Sequence, residues 1–466
     1  MQKGRKPFNL EPMLKPRSVA VIGASRDSGK VGSIILQNYL NGGYSGRLYA
    51  VNKKANGSIL GVKTYGSVKD IKDTIDLAVI SIPAQLVPEA LEECGKARVK
   101  TVIIVSGGFA EIGETALQDR IVEIADRYNI AMLGPNCLGV MNPRSRIDTL
   151  FLPTYKLSKA EIGGVSFVAQ SGAVGSTVLD LISEEGFGLS KFFSYGNAAQ
   201  VDEVDILNYL MNDKETKVIV MYLEGIKRGK EFIEIAKKVT KVKPVIVLKA
   251  GKTAAGVSAA HSHTASLAGS YEAHEAVFRQ YGFTIANDVS ELIYYAKIFA
   301  YEPSPAGGRV AIITNGGGTG VLTADAISST RELVLGEFGK DVAKDLRSRM
   351  PALVNIRNPL DLAGDADAKR YGDAITAVAN DPNIDIILAI VLFQTPGADS
   401  RLAAEIIRIK QTVDKPMVVI SMGSQYTQMH KIMMESGGVP VFDSPLSAAI
   451  AMEGLFRYGE YRKARK

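Results

Sequence analysis

The chain has 466 residues, of which 46% are hydrophobic and 22% charged, a composition that excludes disordered and collagen-like chains. Two cysteines give no disulfide framework and favour a cytoplasmic location. The net charge is +6, but the basic residues do not form runs, so we expect no nucleic-acid partner. No apolar run reaches the roughly 18–20 residues of a membrane span, so we expect no membrane partner.

Short apolar runs alternate with amphipathic stretches of helix length, which predicts parallel β-sheets with helices on both faces. Weakly patterned or Pro/Gly-rich stretches at 142–164 and 301–308 separate three predicted α/β domains, 1–145, 146–303 and 306–466. The predicted strands are 19–22, 47–51, 77–82, 101–105, 131–133, 165–169, 192–194, 218–223, 244–248, 310–314, 386–393 and 417–420, and the clearest predicted helices are 31–40, 87–97 and 116–128.

A phosphate-binding turn is predicted after the first strand, where Gly23, Ala24 and Ser25 precede a helix. The G-x-G-x-x-G pattern of dinucleotide sites is absent. Lys53 and Lys54 follow the second strand, where a dinucleotide site usually places an acidic residue. The lysines favour a ribose that carries an extra phosphate, as in coenzyme A or NADP, although a purely structural turn is also compatible with this pattern.

Small and polar residues follow other strands of the first domain. Ile82-Pro83, Ser106-Gly107-Gly108-Phe109 and Gly134-Pro135-Asn136-Cys137 come directly after predicted strands. Because ligands of open parallel sheets bind at the carboxyl ends of the strands, these segments predict a binding crevice.

The second and third domains begin alike. A shift of 144 residues (308 − 164) aligns GVSFVAQSGAVGS from Gly164 with GRVAIITNGGGTG from Gly308, and each segment reads as a strand, a turn and a helix. Each helix start presents backbone N–H groups that favour anions. The candidate phosphate-binding residues are Ser171, Gly172 and Ala173 in one segment and Gly316, Gly317 and Gly318 in the other.

The segment 259–269, AAHSHTASLAG, contains two of the four histidines. Neutral imidazole is abundant at pH 7 and can attack phosphorus. From spacing alone, His261 and His263 could instead be a metal pair or ordinary surface residues. A carboxylate on the other ring nitrogen would support a nucleophilic histidine. Glu224, at a strand end 39 residues before His263 (263 − 224), is a candidate for that role.

Three segments of the first domain, GASRDSGKVG (23–32), SGGFAEIGE (106–114) and GPNCLGVMNP (134–143), resemble the CoA-binding domain of succinyl-CoA synthetase and its relatives. The whole chain resembles the α subunits of ADP-forming acyl-CoA synthetases. SHTASLAG (262–269) resembles their phosphohistidine loop, with Ala265 where glycine is usual. The resemblance implies a Rossmann-like CoA-binding domain followed by two flavodoxin-like ligase domains.

The resemblance also implies roles for single residues. His263 would carry the phosphoryl group, Glu224 would support it, and phosphate would bind between the two helix starts. The residues implied to bind CoA are Gly23, Ala24, Ser25, Lys53, Lys54, Ile82, Pro83, Ser106, Gly107, Glu111, Asn136 and Cys137.

The implied reaction converts acyl-CoA, phosphate and ADP to acid, CoA and ATP through an acyl phosphate and a phosphohistidine. No stretch resembles the family's ATP-grasp domain, so we expect a separate β subunit to bind ADP or ATP and Mg²⁺, in an α2β2 assembly, and we expect no metal site in this chain. The alternatives are an NADP-linked oxidoreductase and a CoA-sensing regulatory protein without catalysis.

Overall fold

A computed structural model describes residues 7–54, 56–258 and 270–465. It divides into two compact units, one of residues 1–184 and 188–285 and the other of residues 185–187 and 286–466. Three sheets with flanking helices confirm the predicted α/β fold of one Rossmann-like and two flavodoxin-like domains. Within the described ranges, no helix is both long and apolar enough to cross a bilayer.

The first sheet contains β1 (Ser18–Ile22), β2 (Arg47–Val51), β3 (Ser58–Ile59), β4 (Val62–Tyr65), β5 (Leu77–Ile80), β6 (Thr101–Ile104) and β7 (Ala131–Leu133). The accompanying helices are α1 (Glu11–Leu14), α2 (Val31–Asn41), α3 (Val87–Lys96) and α4 (Thr115–Arg127). The strand order is β3-β4-β2-β1-β5-β6-β7, parallel except for the β3–β4 hairpin. The chain moves from one side of β1 to the other between β2 and β5, which creates a crevice at the carboxyl ends of β1 and β5.

Both faces of this sheet are buried, because successive side chains of a strand point to opposite sides. Val19 and Val21 of β1 belong to one core cluster, together with residues of α1 and α2. Ala20 and Ile22 belong to a second cluster, together with residues of α3 and α4. The fully apolar strands of the sequence therefore lie between two layers of helices.

The second sheet contains β8 (Gly139–Asn142), β9 (Ile147–Asp148), β10 (Ile162–Ala169), β11 (Leu189–Ser194), β12 (Val218–Leu223), β13 (Val245–Lys249) and β14 (Thr284–Ala286). The described helices of this region are α5 (Gly172–Glu185), α6 (Glu203–Asn212), α7 (Gly229–Val242) and α8 (Tyr271–Gln280). The order is β14-β13-β12-β10-β11-β8-β9. β8 and β9 form an antiparallel pair in this sheet, and β8 is also antiparallel to β11. Residue 145, the predicted end of the first domain, lies in the chain between β8 and β9. The domain limits given above remain a prediction.

One hydrophobic core joins the first two sheets. The cluster that contains Val21 and Leu133 of the first sheet continues through Cys137 and Val140 into Phe193 of the second. Such a shared core fixes the two sheets relative to each other, so the loops that meet between them form a defined surface.

The third sheet contains β15 (Arg309–Thr314), β16 (Val334–Leu335), β17 (Leu360–Asp361), β18 (Ile386–Ile390), β19 (Met417–Ile420) and β20 (Val441–Phe442). The helices of this unit are α9 (Val289–Tyr301), α10 (Gly317–Ser328), α11 (Lys340–Arg349), α12 (Ala368–Ala379), α13 (Ser400–Lys410), α14 (Gln425–Ser436) and α15 (Pro445–Lys463). The parallel order is β16-β15-β18-β19-β20, and β17 pairs with β15.

The second and third sheets share one strand order. β11-β10-β12-β13-β14 and β16-β15-β18-β19-β20 both follow the flavodoxin-like order 2-1-3-4-5 when these five strands are numbered along the chain and β17 is left out. An amide side chain after the first strand has the same role in each. The Gln170 Oε1 accepts from the backbone N–H groups of Glu224 and Gly225 after β12, and the Asn315 Oδ1 accepts from the backbone N–H of Leu392 after β18. The similarity predicted from the sequence thus extends to topology. The two amides make similar contacts from positions one residue apart in the alignment, since the shift of 144 places Asn315 on Ser171 (315 − 171).

Candidate active site

The turn after β1 is held close to the turn after β5. Gly23 has φ +98°, and a Cβ there would lie 2.5 Å from the carbonyl oxygen of Ser81. Its N–H donates to the Val51 carbonyl at 2.9 Å, and the Asn52 amide donates to the Ala24 carbonyl at 2.7 Å. Only glycine fits this approach without strain, and it leaves the backbone at the start of α2 accessible to a ligand.

The two lysines after β2 lie at the surface. The ammonium of Lys53 is 2.8 Å from the Glu89 carboxylate, and both side chains are exposed. The backbone N–H of Lys54 donates to the Asn52 side chain at 2.8 Å. An exposed ion pair of this kind contributes little to stability, because water screens both charges. Little energy would therefore be lost if Lys53 turned to a phosphate.

The turn after β6 is organised by the carboxylate of Glu111. The backbone N–H of Gly108 donates to its Oε1 at 2.5 Å, and that of Phe109 donates to both oxygens at 3.2 Å. The Asn197 amide donates to Oε2 at 2.5 Å. Burial acts to raise the pKa of Glu111, but these hydrogen bonds outweigh it and hold the pKa below its usual value. Glu111 is therefore ionised at neutral pH and fixes the Ser106–Glu111 turn.

The same turn contacts the neighbouring strand ends. The Ser106 hydroxyl donates to the Ile82 carbonyl at 2.5 Å, and the Asn136 N–H donates to the Ser106 carbonyl at 2.9 Å. Pro83, next to Ile82, is exposed. The structure thus brings together the three strand ends that the sequence predicts to form a crevice.

Cys137 is buried, and its Sγ donates to the Ile104 carbonyl at 3.4 Å. Burial raises the pKa of its thiol to about 12. The thiol is therefore protonated at neutral pH and is a poor nucleophile, because only the thiolate reacts readily.

Asn197 is a residue that the sequence analysis did not identify. Its side chain contacts Glu111, Asn136 at 3.2 Å and Gln118 at 3.0 Å. Its backbone N–H donates to the Pro135 carbonyl at 3.0 Å. Asn197 thus connects the loop after β11 to the strand ends of the first domain. The only signal in the sequence is a Gly-Asn pair after a predicted strand.

The second domain contributes the start of α5 and the end of β12. α5 begins at Gly172, directly after Ser171, and a Cβ on Gly172 would contact Leu138 at 3.2 Å. Glu224 follows β12 and is only 5% exposed. The hydrogen bonds from its own backbone N–H and that of Gly225 to Gln170 hold Glu224 beside the start of α5.

A cleft of about 560 Å³ lies between the first two domains. Its walls combine predicted CoA-binding residues with predicted phosphate-binding residues and Glu224. Apolar side chains such as Phe151 also line it. The predicted site residues in the lining are Glu111, Asn136, Cys137, Ser171, Gly172, Ala173 and Glu224.

The second candidate phosphate-binding segment, Gly316–Gly318, belongs to the compact unit that contains the third sheet. α10 begins at Gly317, and the N–H of Gly316 donates to the Thr314 hydroxyl at 3.0 Å. A Cβ on Gly318 would meet nothing within 4 Å. A Cβ on Gly317 would lie 2.7 Å from the Asp361 carboxylate, so this helix start has an acidic side chain beside it, and no side chain of the N-cap residue caps it.

His261 and His263 lie outside the described residues. The other two histidines are bound to backbone carbonyls through Nδ1, His274 to Ser270 at 2.8 Å and His430 to Tyr426 at 2.7 Å. Across the described part of the chain, no group of three or more potential metal-ligating residues is found.

Three family models together match most of the chain. A CoA-binding domain matches residues 17–143, a succinyl-CoA ligase-like flavodoxin domain matches 162–299, and a ligase-CoA domain matches 310–464. This combination defines a ligase of the succinyl-CoA ligase type.

Comparison with individual proteins narrows the class. The chain is 41% identical to the α subunit of ADP-forming acetate–CoA ligase II of Pyrococcus furiosus, over 96% of this chain and 97% of the relative. It is 38% identical to the α subunit of ligase I of the same organism, over 98% and 100%. The chain therefore belongs to the ADP-forming acetate–CoA ligase family and corresponds to its α subunits.

Two further comparisons agree. The ADP-forming acetate–CoA ligase I of Archaeoglobus fulgidus is 41% identical over 97% of this chain, which spans 64% of that longer relative. The acetyl-coenzyme A synthetase 1 of Ca. Korarchaeum cryptofilum, solved with phosphate and ADP, has a TM-score of 0.91 at 34% identity and covers 98% of both chains. The family resemblance predicted from the sequence is confirmed.

Proposed function

We propose that this chain is the CoA- and phosphate-binding subunit of an enzyme that converts acyl-CoA, phosphate and ADP to acid, CoA and ATP, with acetyl-CoA as the default substrate. The observation that carries this proposal is the cleft of the first unit, where the strand ends of a CoA-binding domain meet the start of α5 and the Glu224 carboxylate. A thioester bound to the first domain would reach the anion-favouring helix start of the second.

CoA is proposed to lie across the strand ends of the first domain, on the residues that the resemblance implies. Gly23 and Gly107 would allow the pyrophosphate and the pantetheine chain to approach the backbone. Lys53 and Lys54 would contact the ribose phosphate. Glu111 and Cys137 already have hydrogen-bond partners within the protein, so their part is to shape the site.

The reaction begins with attack by a phosphate oxygen on the thioester carbonyl carbon. The C–S bond breaks, CoA leaves as its thiol after protonation, and an acyl phosphate remains. The His263 imidazole then attacks phosphorus, the P–O bond to the acyl group breaks, and the acid leaves. In this scheme Glu224 accepts a hydrogen bond from the other ring nitrogen of His263 and stabilises the positive charge that develops.

The phosphohistidine is proposed to transfer its phosphoryl group to ADP on a partner subunit with an ATP-grasp fold, which would also hold Mg²⁺. The name "subunit alpha" of two relatives supports a partner. The greater length of the Archaeoglobus ligase also supports it, because that chain contains a segment beyond the matched part. We propose an α2β2 assembly in the cytoplasm, with domains 1–145, 146–303 and 306–466. The candidate phosphate-binding residues are Ser171, Gly172 and Ala173 at the start of α5, and Gly316, Gly317 and Gly318 at the start of α10 are a second candidate set.

Labelled phosphate tests the proposal directly. The full chain incubated with acetyl-CoA and ³²P-phosphate should acquire an acid-labile, base-stable label. His263→Asn should abolish that label, and His261→Asn should retain most of it. No label in the natural chain, or undiminished label in the His263 variant, would contradict the mechanism.

The two alternatives predict other results. An NADP-linked oxidoreductase would change nicotinamide absorbance without any dependence on phosphate. A CoA sensor would bind CoA and stay unphosphorylated, and the start of α5 and Glu224 would have no use in it. Membership of the ligase family favours the acyl-CoA reaction over both.

A further inference from the structure

One cation lines the cleft without a role in the scheme above. Lys227 lies in the short segment between β12 and α7, three residues after Glu224. Its side chain is exposed and faces the cleft in which Ser171, Gly172 and Ala173 also lie. A ligand in that cleft can therefore reach its ammonium.

The position of the Lys227 ammonium is fixed by backbone carbonyls. Its Nζ donates to the carbonyl oxygens of Asn197 at 2.8 Å and Ala198 at 3.4 Å. An ammonium has three N–H donors. Two of them hold the side chain against the turn at Asn197, and the third can serve a ligand.

Four carboxyl groups lie near Lys227: Glu111 and Glu224 line the same cleft, and Asp202 and Glu203 act on the pKa of the lysine. The surrounding protein partly desolvates the Lys227 ammonium and lowers its pKa, although the side chain still reaches solvent, and Glu203 and Asp202 oppose this effect. Asp202 is engaged by the Arg228 guanidinium, whose Nε donates to it at 2.5 Å. Burial, and then the Asp202 charge, raise the pKa of Glu203 above its usual value, so this carboxyl is a weaker counter-charge than an exposed glutamate.

We propose that Lys227 binds the phosphate that attacks the thioester, with its ammonium on a phosphate oxygen and the start of α5 on the same anion. A dianion that leaves water needs charged as well as neutral donors, and hydrogen bonds between charged groups are about twice as strong as neutral ones. Among the described residues that line the cleft, Lys227 is the side chain that adds a positive charge to the helix dipole. This inference rests on the proposed function, because it names the substrate that the lysine binds.

Binding of inorganic phosphate to the full chain, measured by equilibrium dialysis with ³²P-phosphate, tests the inference without turnover. Lys227→Gln should raise the Kd for phosphate about tenfold or more, because one charged hydrogen bond is lost. Lys227→Arg should bind within a few-fold of the natural chain. Lys230→Gln removes an equal charge from the exposed start of α7 and serves as the matched control, with unchanged affinity.

The affinity for CoA separates a ligand contact from a structural role. All three variants should bind CoA as the natural chain does. In the enzyme reconstituted with its partner, Lys227→Gln should raise the KM for phosphate and leave the KM for acyl-CoA unchanged.

Three results would overturn the role of Lys227: no measurable phosphate binding to the natural chain, an unchanged Kd in Lys227→Gln, or an equal loss of phosphate and CoA affinity. The last would mean that the lysine acts only by holding the turn at Asn197. A different result would refute the proposed function and leave the anion site in place. In that case the natural chain binds phosphate through Lys227, but the reconstituted enzyme does not cleave acyl-CoA with phosphate.

Discussion

Replacement of Glu111 by glutamine tests whether the turn after β6 is part of the CoA site. The Glu111 carboxylate accepts hydrogen bonds from the backbone N–H groups of Gly108 and Phe109 and from the Asn197 amide. A glutamine offers one oxygen and one NH₂ group. Whichever way the amide is turned, its NH₂ faces one of these donors, and the turn loses a contact on that side.

The expected loss follows from the bonds removed. Hydrogen bonds to a charged group contribute about 1.5–3 kcal/mol each, and at least one is lost. If the turn must keep its shape to bind CoA, this energy appears as an increase of roughly 10- to 150-fold in the Kd for CoA. The fold itself should persist, because Glu111 is not a member of the buried core clusters, although Phe109 of the same turn is.

Isothermal titration of CoA into the full chain measures this change. Glu114→Gln is the matched control, because Glu114 is exposed and makes no capping hydrogen bond at the start of α4. The reasoning is refuted if Glu111→Gln binds CoA as tightly as the natural chain while Glu114→Gln does the same.

The pH dependence of the turn has a definite sign. Burial tends to raise the pKa of Glu111, but the bonds from Asn197 and the backbone hold it below 4.5 in the folded chain. A carboxyl group whose folded pKa is depressed contributes stability above its unfolded pKa and loses that contribution as the pH falls through the folded pKa. This contribution of Glu111 should therefore be constant from about pH 6 to pH 8 and should disappear only below about pH 4.5.

Two more outcomes follow from local geometry. Gly23→Ala should lower the midpoint of thermal unfolding more than Gly57→Ala. Both glycines have positive φ, but a Cβ at Gly23 would lie 2.5 Å from the Ser81 carbonyl oxygen, whereas a Cβ at Gly57 would face open space. Equal shifts of the midpoint would contradict the close approach of the turns after β1 and β5. Cys94 and Cys137 are buried, and their thiol pKa values are raised to about 12. A thiol reagent at pH 8 should therefore modify both cysteines only after the chain unfolds. Rapid modification of the native chain would contradict this burial.

The sequence predicts the central strands of the three sheets well, because most of them are continuous apolar runs. It does not predict short strands such as β9, β16 and β20. The strand predicted at 218–223 has the bounds of β12. The strand predicted at 386–393 ends three residues early, at Ile390. After the strand ends, the Asn315 side chain accepts a hydrogen bond from the backbone N–H of Leu392. These two residues are 77 positions apart, so a local sequence pattern cannot predict the contact.

The residues missed by the sequence analysis share one property. Asn197 acts on Glu111, 86 residues away, and Lys227 acts on the Asn197 carbonyl, 30 residues away. Neither stands in a motif. Asn197 gains its contacts with the first domain when the first two sheets share a core, and Lys227 gains its contact when β11 and β12 lie in one sheet. Glycine turns and strand-end carboxylates such as Glu224 could be predicted, because their local sequence already determines where they lie on a parallel sheet.

The central claim is that a phosphate oxygen attacks the thioester carbonyl in the cleft of this chain. Acetyl-CoA, ADP and phosphate labelled with ¹⁸O on all four oxygens, turned over by the chain with its partner subunit, test this by mass spectrometry of the acetate formed. The account predicts one ¹⁸O atom in each acetate, because the attacking oxygen stays with the acyl group when phosphorus moves to His263. Acetate without ¹⁸O would contradict it, since the acyl group would then have left CoA without meeting phosphate.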